Sequence, residues 1–213
     1  LRSPFTHKKR AVHAGISESS GDVLLFVDAD CRVPPHWVAG MAAGLSEGVD
    51  LVAGDVVVNA SSVIGRLEAL EFTGIQSVAS GLMNAGFPVT CNGANLAYRR
   101  DAYERVGGFG GVGSIVSGDD DLMMQKIAAQ GRGRVRWLSS PETTVACEAN
   151  ATLAGFLSQR TRWASKTTRY PSRAAVAALS MIFAMFVSIP VWLAGIVFAG
   201  FSLLPLAASI VVK

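Results

Sequence analysis

The sequence predicts an α/β fold, with a mainly parallel mixed sheet flanked by helices and followed by C-terminal transmembrane helices. Short apolar runs of strand length alternate with helix-like stretches over residues 1–173, which is the pattern of a mainly parallel sheet. Acidic residues stand directly after the first of these runs, at the place where open α/β sheets bind ligands. From Ala174 to Val212 there is no Asp, Glu, Lys, Arg or His.

The elements of the N-terminal half follow from apolar runs and from the residues that interrupt them. A helix over residues 7–20 ends near Gly21, and the continuous apolar run Val23–Val27 has the length of a strand buried on both faces. The dipeptide Pro34-Pro35 separates this strand from the next helix. The further elements predicted here are a helix over 36–45, a strand region over 49–58 and a helix over 62–83.

The second half repeats the alternation. A strand over 94–98 precedes a helix over 102–106, for which Asp101 is the expected cap. A glycine-rich loop over 107–113 follows, and a helix over 119–130 stops at Gly131. The last predicted strands are 134–138 and 143–147.

The uncharged C-terminal stretch is predicted to be a transmembrane part, residues 174–213, behind a domain of residues 1–173. Because about 20 residues cross a bilayer, we expect one helix over 175–198 and the start of a second over 201–213. One long helix, kinked at Pro190 and Pro205, is the alternative. Basic residues next to a membrane span favour its cytoplasmic side, so we expect the domain on the cytoplasmic side of the cell inner membrane. The alternative is that these residues only contact lipid headgroups. They are Arg160, Arg162, Lys166, Arg169 and Arg173.

Overall charge and cysteine content limit the other possibilities. A net charge of +3 on 213 residues gives no indication of a nucleic-acid partner. Cys31, Cys91 and Cys147 have neither metal-finger nor redox spacing, so we expect three reduced, small core residues.

The pair Asp28 and Asp30 directly follows the first strand. Hard divalent cations prefer oxygen ligands and keep positions for phosphate oxygens, so this pair suits Mg²⁺ or Mn²⁺ bound against a diphosphate. A polar strand end with Asp30 as a cap is the alternative. An Asp-x-Asp strand end also resembles the haloacid-dehalogenase phosphatases, but these have Thr or Val where this chain has Arg32.

Two further motifs carry candidate chemistry. Asp119, Asp120 and Asp121 begin a helix, whose N-terminus favours carboxylates, and one of them is placed to take a proton from a hydroxyl. Asp121 is expected to act only as a cap. Gln159 and Trp163 lie one helical turn apart, with Arg162 beside them, which suits contacts to a sugar and to phosphate oxygens. An interfacial helix with its Trp at the lipid headgroups is the alternative.

Together the motifs resemble family 2 glycosyltransferases of the GT-A fold, especially the membrane-bound group that includes cellulose, chitin and hyaluronan synthases and ceramide glucosyltransferases. The resemblance rests on Asp28-Ala29-Asp30, on Ser117–Leu122 and on Gln159–Trp163. It implies an inverting transfer of sugar from a nucleotide-diphospho-sugar, with a UDP-sugar favoured, to a lipid or glycan acceptor. A catalytically inactive membrane-anchored scaffold with the same fold is the alternative.

The resemblance also implies roles for single residues. Asp28 and Asp30 contact the donor diphosphate and its Mg²⁺ or Mn²⁺, and Asp120 is the general base with Asp119 in support. The residues implied at the acceptor or the diphosphate are Gln159, Arg162 and Trp163, with Asn92, Gly93 and Asn95 on the acceptor side. The strand and acidic residue that bind the nucleoside in this family have no counterpart here, so we expect a fragment, truncated at both ends and inactive without the rest of its parent.

Overall fold

A computed structural model describes residues 7–46, 48–113, 115, 117–130 and 134–167, together with single positions between 173 and 196. The chain divides into two compact units, Leu1–Ser172 and Arg173–Lys213. The described positions of the second unit are helical. No helix among the described residues is both long and apolar enough to span a bilayer. The transmembrane segments predicted for 174–213 lie for the most part outside the described residues.

The elements of the first unit alternate as the sequence predicts, and most bounds differ from the expected ones by a few residues. The apolar region 49–58 forms two strands, because Asp55 interrupts it. In chain order the elements are α1 (His7–Glu18), β1 (Val23–Phe26), β2 (Cys31–Arg32), α2 (Trp37–Gly44), β3 (Val49–Gly54), β4 (Val56–Asn59), α3 (Val63–Asn84), β5 (Leu96–Arg99), α4 (Arg100–Arg105), α5 (Asp121–Ala129), β6 (Arg134–Leu138), β7 (Val145–Glu148) and α6 (Leu153–Thr167).

The described strands form two sheets, a larger one in the order β1-β5-β3-β6 and a smaller one in the order β2-β7-β4. The predicted α/β fold with a mixed sheet is confirmed, but the parallel pairing that was expected to predominate is limited to β3–β6 and β4–β7 among the described strands. Strand β5 runs antiparallel to both β1 and β3, and only β3 and β6 pair in parallel within the larger sheet. The reason lies in the non-helical segment after α3, which returns the chain to the carboxyl end of β3. There the Gly54 amide donates to the Asn95 carbonyl, and β5 begins in the opposite direction.

Two apolar clusters cover the two faces of the larger sheet. Alternate residues of β5 point to opposite faces, so Leu96 and Tyr98 join one cluster and Ala97 joins the other. The first cluster packs under α1 and α5, where Met123 is completely buried. The second packs under α2 and against the smaller sheet, with Met41 at its centre. The helix α3 contributes to both clusters, which fixes the smaller sheet against the larger one.

The capping expected of Asp101 differs in detail. Helix α4 begins at Arg100, with Arg99 as its N-cap residue, and Asp101 lies in the first turn. Its carboxylate accepts a hydrogen bond from Arg105 at 3.0 Å instead of capping the backbone.

The outer strand β6 is covered at Trp137 by a side chain. The Trp137 amide donates to Asn84 Oδ1 at 2.9 Å, and Asn84 Nδ2 lies 3.4 Å from the Trp137 carbonyl oxygen. The Asn84 amide group therefore pairs with this residue as another strand would.

The cysteines correct another prediction. Cys31 and Cys147 face each other in the antiparallel pair β2–β7 and form a disulfide, so they are not reduced core residues. The disulfide could not be predicted from the spacing of the cysteines, because 116 positions separate the two residues. The expectation of a buried, small residue holds for Cys91, which takes no part in the disulfide.

Candidate active site

The first acidic motif leaves the carboxyl end of β1. The Asp28 carbonyl accepts a hydrogen bond from the Cys31 amide at 3.0 Å, which closes a tight turn over the motif. Asp28 Oδ1 accepts a hydrogen bond from Lys8 Nζ at 2.5 Å, and the carboxylate remains partly exposed. Asp30 is exposed at the start of β2. Both predicted metal ligands are therefore accessible at one end of the sheet.

The acidic triplet separates into different roles. Asp119 Oδ2 lies 3.3 Å from Lys8 Nζ, so this carboxylate faces the first motif. Asp120 is the N-cap residue of α5 and accepts hydrogen bonds from the amides of Asp121 and Gly93, at 2.7 and 3.1 Å. Asp121 is completely buried and accepts hydrogen bonds from Thr90 and Cys91. Asp121 is thus a structural residue, while the other two carboxylates border the site.

Gly93 permits the close approach of its loop to the triplet. A Cβ atom at this position would lie 3.2 Å from Asp120 Oδ2 and 3.5 Å from Lys8 Nζ. The Cβ atom of a larger residue would crowd the carboxylate, while its distance to the ammonium group is that of an ordinary contact. This contact places Gly93 beside the candidate base, whereas the family resemblance implied only a position on the acceptor side.

Lys8 joins the two acidic motifs and is the site residue that sequence reasoning missed. Burial alone would lower its pKa, but Asp119, Asp28 and Asp120 outweigh burial and raise the pKa above its ordinary value. The ammonium group therefore stays charged at neutral pH. The basic run Lys8-Lys9-Arg10 at the start of α1 was the available signal, but the sequence does not show that α1 lies across the end of β1.

A small cavity marks the point where these groups meet. It has a volume of about 70 Å³, and its lining includes Lys8, Asp28, Gly93, Tyr98 and Asp119. Burial raises the pKa of Tyr98 strongly, with further contributions from Tyr103, Asp119 and Cys91, so its hydroxyl stays neutral. The site therefore combines two carboxylates and one ammonium group on an apolar floor.

A second lysine holds the segment before the triplet. Lys9 is completely buried, and its Nζ donates to the carbonyls of Ile115 and Ser117 at 2.6 and 2.7 Å. A buried ammonium group requires such partners, because an uncompensated one is costly. Lys9 therefore ties α1 to the segment that leads into Asp119.

Asn92 and Asn95 have internal partners. Asn92 Oδ1 accepts a hydrogen bond from the Ala94 amide at 2.9 Å. Asn95 is fully buried: its Nδ2 donates to the carbonyls of Asp55 and Thr143, and its Oδ1 accepts from Trp37 Nε1. The Asn95 side chain thus joins β3, α2 and the approach to β7, and its role is structural.

The third motif lies on α6, which packs against α3. Trp163 contacts Phe72, with 5.8 Å between ring centroids, and the Arg160 guanidinium lies 4.4 Å from the centroid of Trp163. Gln159 is half-buried, and Arg162 is exposed. The structure brings Asp28, Asp119 and Asp120 together around Lys8, whereas no residue of Gln159–Trp163 is among the described lining residues of the cavity.

The residues that border the site suit a divalent cation in their chemistry. Asp28 and Asp30 offer hard carboxylate oxygens, and Mg²⁺ typically uses one or two carboxylates together with substrate phosphates. Among the described residues no group of three or more His, Cys, Asp or Glu side chains forms a complete site. The chemistry of this donor set is compatible with a divalent cation that substrate phosphates help to hold, and Asp28 and Asp30 are the residues that would hold it.

An α/β core with carboxylates at a strand end and at a helix start defines a class of ligand-binding enzyme folds rather than one activity. The comparison of sequences gives the family. The chain belongs to the glycosyl transferase family group 2, whose family description matches residues 23–212. The resemblance to family 2 glycosyltransferases drawn from the three motifs is thereby confirmed.

Two individual proteins illustrate the similarity. The glycosyltransferase AglE of Haloferax volcanii is 34% identical over 115 residues, which are 52% of this chain and 35% of AglE. The chain thus spans about a third of the length of this curated relative. The crystal structure of mannosyl-3-phosphoglycerate synthase from Rubrobacter xylanophilus aligns with a TM-score of 0.41 at 14% identity, over 78% of this chain and 53% of that one.

Proposed function

We propose that the protein is an inverting glycosyltransferase that moves a sugar from a nucleotide-diphospho-sugar, with a UDP-sugar favoured, to a lipid or polysaccharide acceptor. The observation that carries the proposal is the convergence of Asp28 and Asp119 on Lys8, with Asp120 held beside them by Gly93. This arrangement joins an anion-binding ammonium group to metal-binding and proton-accepting carboxylates. Membership of the family supports the same conclusion.

The proposed reaction is a single displacement. Asp120 takes the proton from the acceptor hydroxyl, whose oxygen attacks the anomeric carbon, and the bond from that carbon to the diphosphate breaks. The amides of Asp121 and Gly93 hold the Asp120 carboxylate in place. Lys8 provides positive charge next to Asp28 for the departing nucleoside diphosphate. A divalent cation held by Asp28 and Asp30 would supply further neutralisation of that diphosphate.

We further propose that the protein is anchored in the cell inner membrane with the first unit on the cytoplasmic side. The basic residues from Arg160 to Arg173 before the uncharged stretch support this orientation. The Cys31–Cys147 disulfide is the observation against it, since the cytoplasm keeps most thiols reduced. A cysteine introduced at the exposed position Arg10 can be labelled with a membrane-impermeant maleimide in sealed, inverted membrane vesicles. Labelling supports the cytoplasmic orientation, and protection from the reagent contradicts it.

A non-catalytic scaffold is the second candidate function. The observation that favours it is the position of Trp163, which is engaged by Phe72 and Arg160. In a catalytic protein we expect this ring to become available to the substrate when the donor binds.

The experiment measures release of nucleoside diphosphate by the full-length protein in nanodiscs, from a panel of UDP- and GDP-sugars, with and without Mn²⁺. Asp120→Asn keeps the size of the side chain and removes the proton acceptor, so we expect release to fall by about 10²- to 10⁴-fold. Asp101→Asn is the matched control, because Asp101 is an exposed carboxylate at a helix start whose ion pair among the described residues is with Arg105. Release that is equal in Asp120→Asn and wild type refutes the assignment of the base. A folded wild type that neither releases nor binds UDP supports the scaffold.

A further inference from the structure

Helix α6 is held against α3 by a cluster of polar side chains. Arg160 donates hydrogen bonds to both oxygens of Glu71, and its guanidinium lies 4.4 Å from the ring centroids of Phe156 and Trp163. Glu68 is buried on the same face of α3 and accepts hydrogen bonds from the amide and the side chain of Asn150. These contacts fix Arg160 and Asn150 on either side of Gln159.

Gln159 receives a hydrogen bond from each of these neighbours. Its Oε1 accepts from Arg160 Nη1 at 2.5 Å and from Asn150 Nδ2 at 3.1 Å. A guanidinium group can only donate, so the atom of Gln159 next to Arg160 has to be its oxygen. In the same way, the carboxylate of Glu68 can only accept, so it fixes which end of the Asn150 amide carries the nitrogen.

The hydrogen-bond partners therefore determine which end of the Gln159 amide is the oxygen and which is the nitrogen. Its Oε1 is engaged by two donors, while its Nε2 makes no hydrogen bond among the described residues. The side chain is half-buried, so the two N–H groups of Nε2 remain available to a ligand. Gln159 is thus prepared as a donor and not as an acceptor.

We propose that Arg160 is a positioning residue, which holds Gln159 so that its NH₂ group donates to an oxygen of the transferase substrate. This inference rests on the proposed function, since it takes Gln159 to contact that substrate. Arg160 has a second, structural task in pairing with Glu71, and the two tasks can be separated by substitution. The ligand oxygen is a hydroxyl of the acceptor or an oxygen of the diphosphate.

Three variants separate the two tasks. Gln159→Glu keeps the oxygen that Arg160 and Asn150 contact but removes the NH₂ donor. Arg160→Lys keeps the positive charge opposite Glu71 but loses the planar fork that reaches both Glu71 and Gln159. Glu71→Gln weakens the contact between α3 and α6 while the contacts of Gln159 remain.

The measurements are Tm and release of nucleoside diphosphate, made on the full-length protein with the donor that is most active for wild type. For Gln159→Glu we expect an unchanged Tm and a loss of release of about tenfold. For Arg160→Lys we expect a similar loss with a small change in Tm. For Glu71→Gln we expect release within twofold of wild type at 20 °C and a Tm lower by about 2–4 °C. The dependence of release on donor and on acceptor concentration identifies which of the two the NH₂ group contacts.

The outcomes distinguish this inference from the proposed function. An active wild type whose release is unchanged by Gln159→Glu overturns the inference and leaves the transferase assignment intact. Release that follows Tm through all three variants also overturns it, because a purely structural role of Arg160 predicts that correlation. A folded wild type that neither releases nucleoside diphosphate from any donor nor binds UDP refutes the proposed function, and the inference then falls with it.

Discussion

At the scale of single residues, Lys8 determines how the candidate site is assembled. One ammonium group contacts Asp28, at the end of β1, and Asp119, which precedes α5. The two carboxylates would repel each other without an intervening cation. Lys8 therefore couples the donor-side motif to the motif that carries the candidate base.

The charge of Lys8 has a defined pH range. Because the pKa is raised in the folded protein, the stabilisation by this group is complete below the unfolded pKa of about 10.4 and is lost as pH rises through the higher folded value. We predict that the difference in free energy of unfolding between wild type and Lys8→Met stays constant from about pH 6 to pH 9 and shrinks only at more alkaline pH. Urea unfolding of both proteins across this range is the measurement, and a difference that disappears by about pH 9 contradicts it.

The roles of individual residues could be predicted only where the chemistry is local. A carboxylate cap at the start of α5 could be predicted from its position, but the structure gives this role to Asp120 and not to Asp121, whose carboxylate accepts hydrogen bonds from Thr90 and Cys91. Asn95 was expected on the acceptor side, yet its amide is enclosed by groups from Trp37, Asp55 and Thr143. These partners come from distant parts of the chain, so no local pattern around Asn95 indicates them.

At the scale of elements, the disulfide connects the segment after the first acidic motif to the strand that precedes α6. Cys31 opens β2 directly after Asp30, and Cys147 lies in β7. The short β2 pairs with β7 alone within the described sheet, so the covalent bond is an important part of its attachment. The position of the donor-side motif therefore depends on the oxidation state of this pair.

Removal of the disulfide tests this dependence. We predict that the double change Cys31→Ser and Cys147→Ser lowers the free energy of unfolding by about 2–4 kcal/mol under oxidising conditions. In the presence of a thiol reductant the difference from wild type shrinks to the effect of the lost packing. Denaturant unfolding with and without dithiothreitol measures both values. Cys91→Ser is the matched control, and its stability relative to wild type is expected to be insensitive to the reductant. Equal stability of wild type with and without dithiothreitol excludes the bond in solution.

Most elements could be predicted, whereas the short strand β2 and the direction of β5 could not. The apolar run that became β1 was visible as a continuous hydrophobic stretch, and β6 has the predicted bounds although two arginines alternate with its apolar residues. The direction of β5 depends on residues 85–95, which carry the chain back along the sheet without a helix. The direction of a strand depends on how the preceding connection runs, and a pattern of alternating strands and helices does not show this for a segment without a helix. The pattern alone therefore predicted parallel pairing.

At the scale of the whole first unit, the larger sheet separates two apolar clusters, which we expect to unfold together. Leu51 lies in the strand at the centre of this arrangement and is completely buried in the first cluster. We predict that Leu51→Ala destabilises the protein by about 2–5 kcal/mol, because it removes buried methyl groups and leaves a cavity.

The matched control is Val57→Ala, since Val57 is 52% exposed on β4 and its loss is expected to cost about 0.5 kcal/mol or less. Chemical unfolding followed by tryptophan fluorescence and by circular dichroism gives both values. Two separate transitions in Leu51→Ala, one for each cluster, would show that the cores are independent and contradict the prediction.

The amide of Asn84 has a consequence for how copies of the protein meet in concentrated solution. An outer strand with unpaired backbone groups invites a strand from another molecule, and such contacts lead to aggregates. At Trp137 the side chain of Asn84 already uses both backbone groups. A strand of a second copy therefore finds the N–H and C=O groups of Trp137 already hydrogen-bonded. At this residue β6 is protected against pairing with a strand of another molecule.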